Sequence, residues 1–578
     1  MKSDFQVDGG NSVAKFTLKL HRGEGMVLIA MNWKNGRPPL DFVGFGIEYK
    51  EPGGDRFYPV KNRLSFPGNG RNLKAWALSS LLSPVQKFRW VHFPRNAELP
   101  GRFIYKVTPV FMNEADELSY GEAQEAAIEL RRETYPGQLN IAFTRGFVSS
   151  QAFSGLCGSK GFSIDDLMPS CAAEGLKFAP VKKGADAFLA WMGFEARKEI
   201  LRILDLAIAD KTAQVRVVAY DLNLPEIVSR LEALKGRLKI IIDNSGTHHI
   251  RNNNGKAKAC AEDEAAVRLK VTAGDGNVMR QKMGNFQHNK TIVVNGSKIQ
   301  AVVCGSTNFS WRGFFVQANN ALVLYGKSAV DIFQAAFEEY WKNAPGIFKS
   351  SGAAQWQDIL LKDADTRVTF SPHVASHGAM KTIAVDLAEN VSSTLFYSLA
   401  FMNQLEKSFL EAIARITKGG RIFGYGVSEN QVKKVQLTKP DGTSSAASYA
   451  ALTADIPDCF LRELPGKPGI RMHHKFIVID FDKPTARVYL GSHNFSRTAD
   501  DDNGDNLLLI RDRRVAVSYA VEALRIFDHY HFRMNWLEAK RKKKELVLAK
   551  PPRSPEEKPW WDEYYRVKIK IRDRELFA

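Results

Sequence analysis

Residues 287–324 read QHNKTIVVNGSKIQAVVCGSTNFSWRGFFVQANNALVL, and residues 472–510 read MHHKFIVIDFDKPTARVYLGSHNFSRTADDDNGDNLLLI. Each copy opens with a histidine and a lysine two residues apart, His288 with Lys290 and His473 with Lys475, at the head of a run of strand formers. Side chains two apart on a strand share a face, so each pair is expected to set an imidazole beside a fixed cation. Each copy then reaches a GS-x-N-F-S turn, with Ser306 and Asn308 in the first and Ser492 and Asn494 in the second. Their hydroxyls and amides are donors suited to phosphate oxygens. Asn319 and Asp505 follow at matching positions, and Asn295 matches Asp480. An odd separation from the lysine points Asn295 and Asp480 to the opposite strand face, where they buttress the motif without touching substrate.

Outward from the motifs the likeness continues. QVRVVAYDL, the helical PEIVSRLEALKGR and the strand KIIID precede the first motif; STLFYSLAF, NQLEKSFLEAIARITKGG and RIFGYG precede the second. Each copy closes on a helix, AVDIFQAAFEEYWKN or VAVSYAVEALRIFDHYHF. Alternating strands and helices predict a layered α/β structure, and the repeat predicts two such lobes, at 180–345 and 366–536 with a linker at 346–365. Before them, AKFTLKL, GMVLIAMNW, FVGFGIEYK, KFRWVHF and GRFIYKVTPVFM read as short strands of a small all-β sandwich over 1–130, an accessory domain with no catalytic constellation. An irregular connection is expected at 131–179. A basic and aromatic tail, 537–578, opens with KRKKKE and carries Trp560, Trp561, Tyr564 and Tyr565, expected to strap onto the lobes.

At these residues the chain resembles the phospholipase D superfamily, whose motif is HxK, four residues, Asp, then GSxN, once per lobe. The resemblance spans about 180–535 in two tandem copies. It implies a pseudo-twofold pair of α/β lobes meeting at the HxK strands, a covalent phosphohistidine intermediate and no metal or other cofactor. It also implies that the residue at Asn319 and Asp505 hydrogen-bonds the motif histidine. The chain departs from the pattern at Asn295, where the motif has Asp. A carboxylate beside His473 is expected to keep that ring protonated, and a neutral amide beside His288 to leave it neutral. His288 is then the nucleophile and His473 the general acid. The same asymmetry is found in tyrosyl-DNA phosphodiesterase, which this half-site resembles locally. The residues fit such chemistry independently: Lys290, Lys475, Asn308 and Asn494 can neutralise phosphoryl oxygens, and two opposed histidines supply attack and protonation.

The 578-residue chain carries a formal net charge of +18. That favours a polyanionic partner: nucleic acid first, with an anionic phospholipid surface as the alternative. The basic insertion holding Arg251, Lys256, Lys258, Arg280 and Lys282 offers a rim for a phosphate backbone, and a nuclease is the leading function, with a phospholipase or phosphatidyl transferase second. A binding module with a dead site is the third, and two complete HxK pairs argue against it. His248 and His249 lie near the first motif as further candidates; His474 alternates away and is expected to pack. Five scattered cysteines, no apolar leader and no span of about 20 apolar residues lead to the expectation of a cytoplasmic protein. Neither a protein partner for the β domain nor an oligomeric state is legible.

Overall fold

The computed structural model describes residues 4–68, 78–130, 133–146, 161–162, 165–170, 172–246, 248, 250–251, 257–258, 260–401, 404–418, 421–430, 434–448 and 472–578. Two compact units divide the chain: Met1–Arg132 with Val517–Ala578, and Glu133–Ala516.

The second unit holds both motifs on two sheets of matching order. In the first lobe the seven strands run Leu139–Phe143, Asn320–Tyr325, Gln300–Gly305, Lys290–Asn295, Gln214–Ala219, Leu238–Asp243 and Val278–Gln281. In the second, Asp365–Ser371, Asp505–Arg511, Arg487–Gly491, Lys475–Ile479, Thr394–Leu399 and Phe423–Asn430 repeat the first six of these places, with Gln357–Ile359 added at one edge and the hairpin Lys434–Thr438, Ser444–Ser448 at the other. The central strands are buried almost throughout, which is why KTIVV and KFIVI read as continuous apolar runs without alternation. The pair Gln214–Ala219 and Leu238–Asp243 is parallel and needs a crossover, which the helix Pro225–Leu234 provides, with Pro225 at its first turn. Helix Lys407–Lys418 connects the parallel pair of the second lobe in the same way. Val215, Val217, Ile292 and Val294 face one layer of the first-lobe core with the helices Ala185–Ala209 and Ala261–Ala273, while the helix Lys327–Trp341 covers the sheet from the other side.

Leu139–Phe143 falls in the stretch read from sequence as irregular. Its LNIAF is buried at every position and pairs antiparallel with Asn320–Tyr325, the place that Asp365–Ser371 fills in the second lobe. Five residues are too few for periodicity to reveal a buried strand. Two glycines are fixed by the turns after the motif strands. Gly305 (φ 126°) and Gly491 (φ 151°) bring the backbone so close to Asn320 and Asn506 that an added Cβ would lie 2.7 and 2.3 Å from their carbonyl oxygens.

The first unit is all-β over its N-terminal part. One sheet runs Gln6–Asp8, Phe16–Gly23, Met26–Trp33, Arg89–His92; the other runs Leu118–Tyr120, Arg102–Met112, Phe42–Lys50, Tyr58–Pro59, with Gln124–Glu129 also on Arg102–Met112. Phe16, Leu18, Leu20, Ile29 and Met31 from the first meet Phe45, Ile47, Phe103 and Tyr105 from the second in one core. The aromatic tail belongs to this unit, a correction to the expected strap on the lobes. Trp561 is buried in the same core, Trp560 stacks on Phe88 at 5.3 Å and donates to the Phe42 carbonyl at 3.1 Å. A sandwich of this size has aromatic surface left to cover, and four nearby rings on one segment cover it. Among the described residues, no helix is long and apolar enough to cross a membrane.

Asp480 and Asn295 point away from the motif histidines. Asp480 is fully buried and its carboxylate accepts the backbone N–H groups of Ser392, Ser393 and Thr394 at 2.7–3.1 Å, together with the Ser392 and Thr485 hydroxyls. Asn295 donates to Gln334 at 3.2 Å and accepts from Gln300 at 3.3 Å. Asp480→Ala leaves three backbone donors unmatched, those of Ser393 and Thr394 buried, and is expected to cost about 2–4 kcal/mol of stability, whereas Asn295→Asp is expected to leave stability nearly unchanged. Chemical denaturation of the two variants beside the parent checks both.

Candidate active site

The motif strands begin at Lys290 and Lys475, so each histidine stands just before its strand, one step outside the sheet alternation. The reason lies across the lobes. The residue before each histidine bridges, in parallel, to the residue before the Asn319/Asp505 position of the other lobe: Gln287 with Gly504, and Met472 with Ala318. Gly504 N–H donates to the Phe286 carbonyl at 2.8 Å, and His473 N–H to the Ala318 carbonyl at 3.1 Å. Each lobe therefore presents its own histidine to the other lobe's polar partner.

The consequence reverses the pairing expected from sequence. Asp505 takes the Nδ1–H of His288 at 2.8 Å, and Asn319 takes that of His473 at 2.8 Å. The carboxylate serves His288 and the amide serves His473, because each partner reaches over the pseudo-twofold axis. Asn319 is held the right way round by its Nδ2, which donates to the Gly313 carbonyl at 2.8 Å, so its oxygen faces the ring. With Nδ1 engaged in both rings, Nε2 is the nitrogen left for chemistry.

The serines of the two turns have a different task from the one expected. Ser306 donates its hydroxyl to Asn319 at 2.9 Å and Ser492 donates to Asp505 at 2.6 Å; they fix the groups that fix the histidines instead of facing a phosphate. Asn308 and Asn494 each keep a buried side-chain oxygen with no partner among the described residues. Lys290 donates to the carbonyl of His288, and Lys475 to that of His473 at 2.9 Å, which folds each lysine back over its own histidine.

All four motif side chains are buried, and that dominates their protonation. Burial, and then the neighbouring Lys290, push His288 down to about 4 although Asp505 pulls the other way. His473 has no carboxylate and is pushed well below the ordinary imidazole range by burial and by Lys475 and Lys290. Burial lowers Lys290 to about 8 against the opposing pull of Asp505, Asp221 and Asp243. Lys475 falls well below the usual lysine range for the same reason, with Lys290 adding to it. Burial raises Asp505, but His288, His493 and Lys290 outweigh it and hold the carboxyl at about 2. Four cationic or potentially cationic groups at one buried spot are thus held short of full charge, and an anion bound among them would favour their protonated forms.

Beside the first motif the structure joins His248, a candidate from sequence, to Tyr220 and Asp221, which the sequence reading passed over. Tyr220 stands with its ring edge-on to His288 at 4.6 Å and to His248 at 4.7 Å, under the Lys290 ammonium at 4.7 Å. His248 is clamped between Asp243 (2.6 Å) and Asp221 (3.0 Å), and although burial opposes it, these carboxylates raise the ring to about 10. Asp221, His248 and Glu262 bring one donor atom each to within 4.8 Å of one another. Both imidazole nitrogens are already taken by carboxylates, which is the arrangement of a buried ion chain and not of a vacant metal ligand set. The signal that finds Tyr220 and Asp221 is their place at the carboxyl end of a parallel strand, where α/β sheets gather their ligand sites. Of the other expected residues, His474 packs its ring on Phe143 and Phe476. Arg280 is tied to Asp263 at 2.6 Å and does not stand free on a rim. His249 and Lys256, and the side chains of Arg251 and Lys258, lie outside the described residues.

A family model described as the PLD-like domain of cardiolipin synthase matches residues 204–341 and 442–527, one segment for each HxK motif. No curated protein matches the sequence. Among solved structures, polyphosphate kinase from Porphyromonas gingivalis aligns at 11% identity over 69% of this chain and 58% of its own, with a TM-score of 0.36. Phosphatidylserine synthase from Haemophilus influenzae Rd KW20 aligns at 14% identity over 66% of this chain and 93% of its own, with a TM-score of 0.38. Nuc, a phospholipase D family member from Salmonella typhimurium, aligns at 19% over 25% of this chain and 87% of its own, with a TM-score of 0.18. Two lobes pool a pair of HxK motifs at one buried site. Both matched segments are thus similar to the PLD-like domain of that family, and each holds one HxK motif.

If His288 attacks through a neutral Nε2 while His473, Lys290 and Lys475 act in their protonated forms, kcat/KM is expected to fall as pH drops through about 4 and to fall on the alkaline side no later than about 8, the Lys290 limit, because burial makes His473 and Lys475 give up their protons readily. Asp505 raises both groups, so Asp505→Asn is expected to shift both limbs to lower pH and to reduce turnover by ~10²–10⁴-fold. A pH–rate series on the two proteins, with any phosphodiester that turns over, reads the shift directly.

Proposed function

We propose that the chain is a phosphodiesterase that works by double displacement through a phosphohistidine on His288, without a metal, and that its substrate is nucleic acid. The observation that carries the mechanism is the unequal pairing of the two histidines, Asp505 on His288 and Asn319 on His473. Attack by Nε2 of His288 forms an N–P bond and leaves the ring as a phosphoimidazolium, a cation that the Asp505 carboxylate beside Nδ1–H stabilises. The bond from phosphorus to the leaving oxygen breaks, and that oxygen takes a proton from Nε2 of His473. A ring whose partner is a neutral amide gives up its proton more readily than one held by a carboxylate. His473 then takes a proton from water, whose oxygen bonds to phosphorus as the N–P bond breaks. The nucleophile is the one expected from sequence, but for the opposite reason: the carboxylate favours attack by the ring it touches because the product of attack is a cation.

Lys290 and Lys475 supply the charge neutralisation that divalent ions provide elsewhere. The net charge of +18 supports a polyanionic substrate over a single headgroup. A second reading, transfer or cleavage of phosphatidyl groups, is supported by the cardiolipin synthase description of the matching family model.

Cleavage of single- and double-stranded DNA, RNA and mixed phospholipid vesicles in excess EDTA separates the readings: turnover of an oligonucleotide is expected, and turnover of vesicles alone replaces nucleic acid by lipid. Strict dependence on added Mg²⁺ or Mn²⁺ overturns the lysine-based mechanism. Affinity for the oligonucleotide is expected to drop by roughly 10³-fold or more between 50 and 200 mM salt if six or more phosphates are contacted. His288→Ala is expected to be inert on every substrate. His473→Ala is expected to lose about 10²–10⁴-fold on a natural ester yet form the adduct readily from an aryl phosphodiester, whose leaving group needs no proton. Intact mass spectrometry under basic conditions should find that adduct accumulating on His288; an adduct on His473 reverses the two roles.

A further inference from the structure

Besides Asn319 and Asp505, the pseudo-twofold symmetry of the site fails at the ends of the two strands beside the motif strands. In the first lobe the strand Gln214–Ala219 sets Ala219 opposite Lys290 and continues into Tyr220 and Asp221; in the second, Thr394–Leu399 sets Leu399 opposite Lys475 and continues into Ala400 and Phe401. A carboxylate thus stands in one lobe where the other has an aromatic ring. It is held there on purpose-built contacts. One oxygen of Asp221 accepts from Nε2 of His248 at 3.0 Å, and the far side of that ring is fixed by Asp243, which also accepts the N–H of Gln287 at 2.7 Å, next to the nucleophile. The other oxygen faces the Ser310 hydroxyl at 3.4 Å, at the end of the turn that carries Asn308. Asp243 is fully buried, whereas the Asp221 side chain keeps 22% of its surface open. Asp221 is among the charges that act on both Lys290 and Lys475, and although burial opposes it, His248, Lys290 and Arg312 hold its carboxyl below the usual range, so it is ionised.

His248 compensates one oxygen of Asp221, whereas the oxygen with only the long Ser310 contact leaves an acceptor at the edge of a site for anions, which a donor on the substrate matches and a second phosphate opposes. In line with attack by His288 the departing ester oxygen leaves toward His473 while the retained ester oxygen stays equatorial, so a group on the His288 side of the phosphorus is within reach of the retained arm and not of the leaving one. We propose that Asp221 is a specificity-determining residue that accepts a hydrogen bond from a hydroxyl or ammonium group on the retained arm of the phosphodiester and disfavours a second phosphate there. The assignment of flanks rests on His288 as nucleophile, the reading given above. On a polynucleotide, this selects a terminal linkage whose retained nucleoside ends in a hydroxyl.

Titration calorimetry of the full chain with three phosphomonoesters tests the idea without requiring turnover: phosphoethanolamine, methyl phosphate and glycerol 1,3-bisphosphate. The parent is expected to bind phosphoethanolamine about tenfold or more tighter than methyl phosphate, the scale of one hydrogen bond to a charged group, and the bisphosphate more weakly than methyl phosphate. In Asp221→Asn the advantage of phosphoethanolamine should vanish and the bisphosphate should become the tightest of the three. A parent that binds the bisphosphate as well as methyl phosphate overturns the proposal without any variant, as does a ranking that Asp221→Asn leaves unchanged. Absence of binding by all three overturns it too, and takes with it the phosphate site on which the function rests. Failure of the nucleic-acid reading shows separately, as oligonucleotides left intact by a protein whose monoester ranking is as expected.

Discussion

The site depends on two short backbone bridges across the lobes, Gln287 with Gly504 and Ala318 with Met472. They are equivalent under the pseudo-twofold axis, and each sits one residue before a group that matters: His288 and Asp505 on one side, Asn319 and His473 on the other. A backbone bridge fixes the following side chains to within a fraction of an ångström, and the Nδ1 contacts at 2.8 Å are the result. Neither lobe contains a complete histidine site. Each supplies an imidazole, a lysine and a serine-braced partner meant for the other.

Burying two lysines and two histidines at one spot is expensive, and most proteins avoid it. Here the expense is met by a polar network in which the supporting members are hydrogen-bonded. Ser306 and Ser492 brace Asn319 and Asp505, the lysines cap carbonyls of their own strands, and Asn506 donates to Asn289 at 2.8 Å across the interface. Such a network is worth having only as a whole, since removing one member leaves its neighbours unmatched in a low dielectric. Burial holds these groups short of their full positive charge, and in the function proposed a phosphate monoanion is the counter-charge that favours their protonated forms.

The network is not symmetric, and the asymmetry gives direction to the chemistry. In the mechanism proposed, Asp505 against Asn319 distinguishes a ring that becomes a cation from a ring that loses a proton, and Asp221 against Phe401 distinguishes the retained arm of the substrate from the leaving one. Both differences are single residues on an otherwise repeated scaffold, so a duplicated lobe can acquire a nucleophile side and an acid side without changing its fold.

The sequence by itself determined the number of lobes, their layered α/β character, the all-β N-terminal region and the identity of the four motif side chains. Those are local properties: strand runs such as KTIVV and KFIVI, crossover helices, a Gly–Ser turn and residues two apart on a chain all leave a signature within a few positions. Tertiary structure decided which partner each histidine receives. Asp505 is 32 residues from His473, within the same repeat, and 217 from His288, the ring it touches. Sequence proximity favoured the wrong pair, because an exchange between pseudo-symmetric copies leaves the order of residues along the chain unchanged. The same holds for the strand Leu139–Phe143, too short to show a period, and for the aromatic tail, whose rings declare that they must be buried but not against which surface. It holds as well for Tyr220, Asp221 and His248, scattered over 28 positions and joined only where a strand end, an insertion and the motif turn fold to one point.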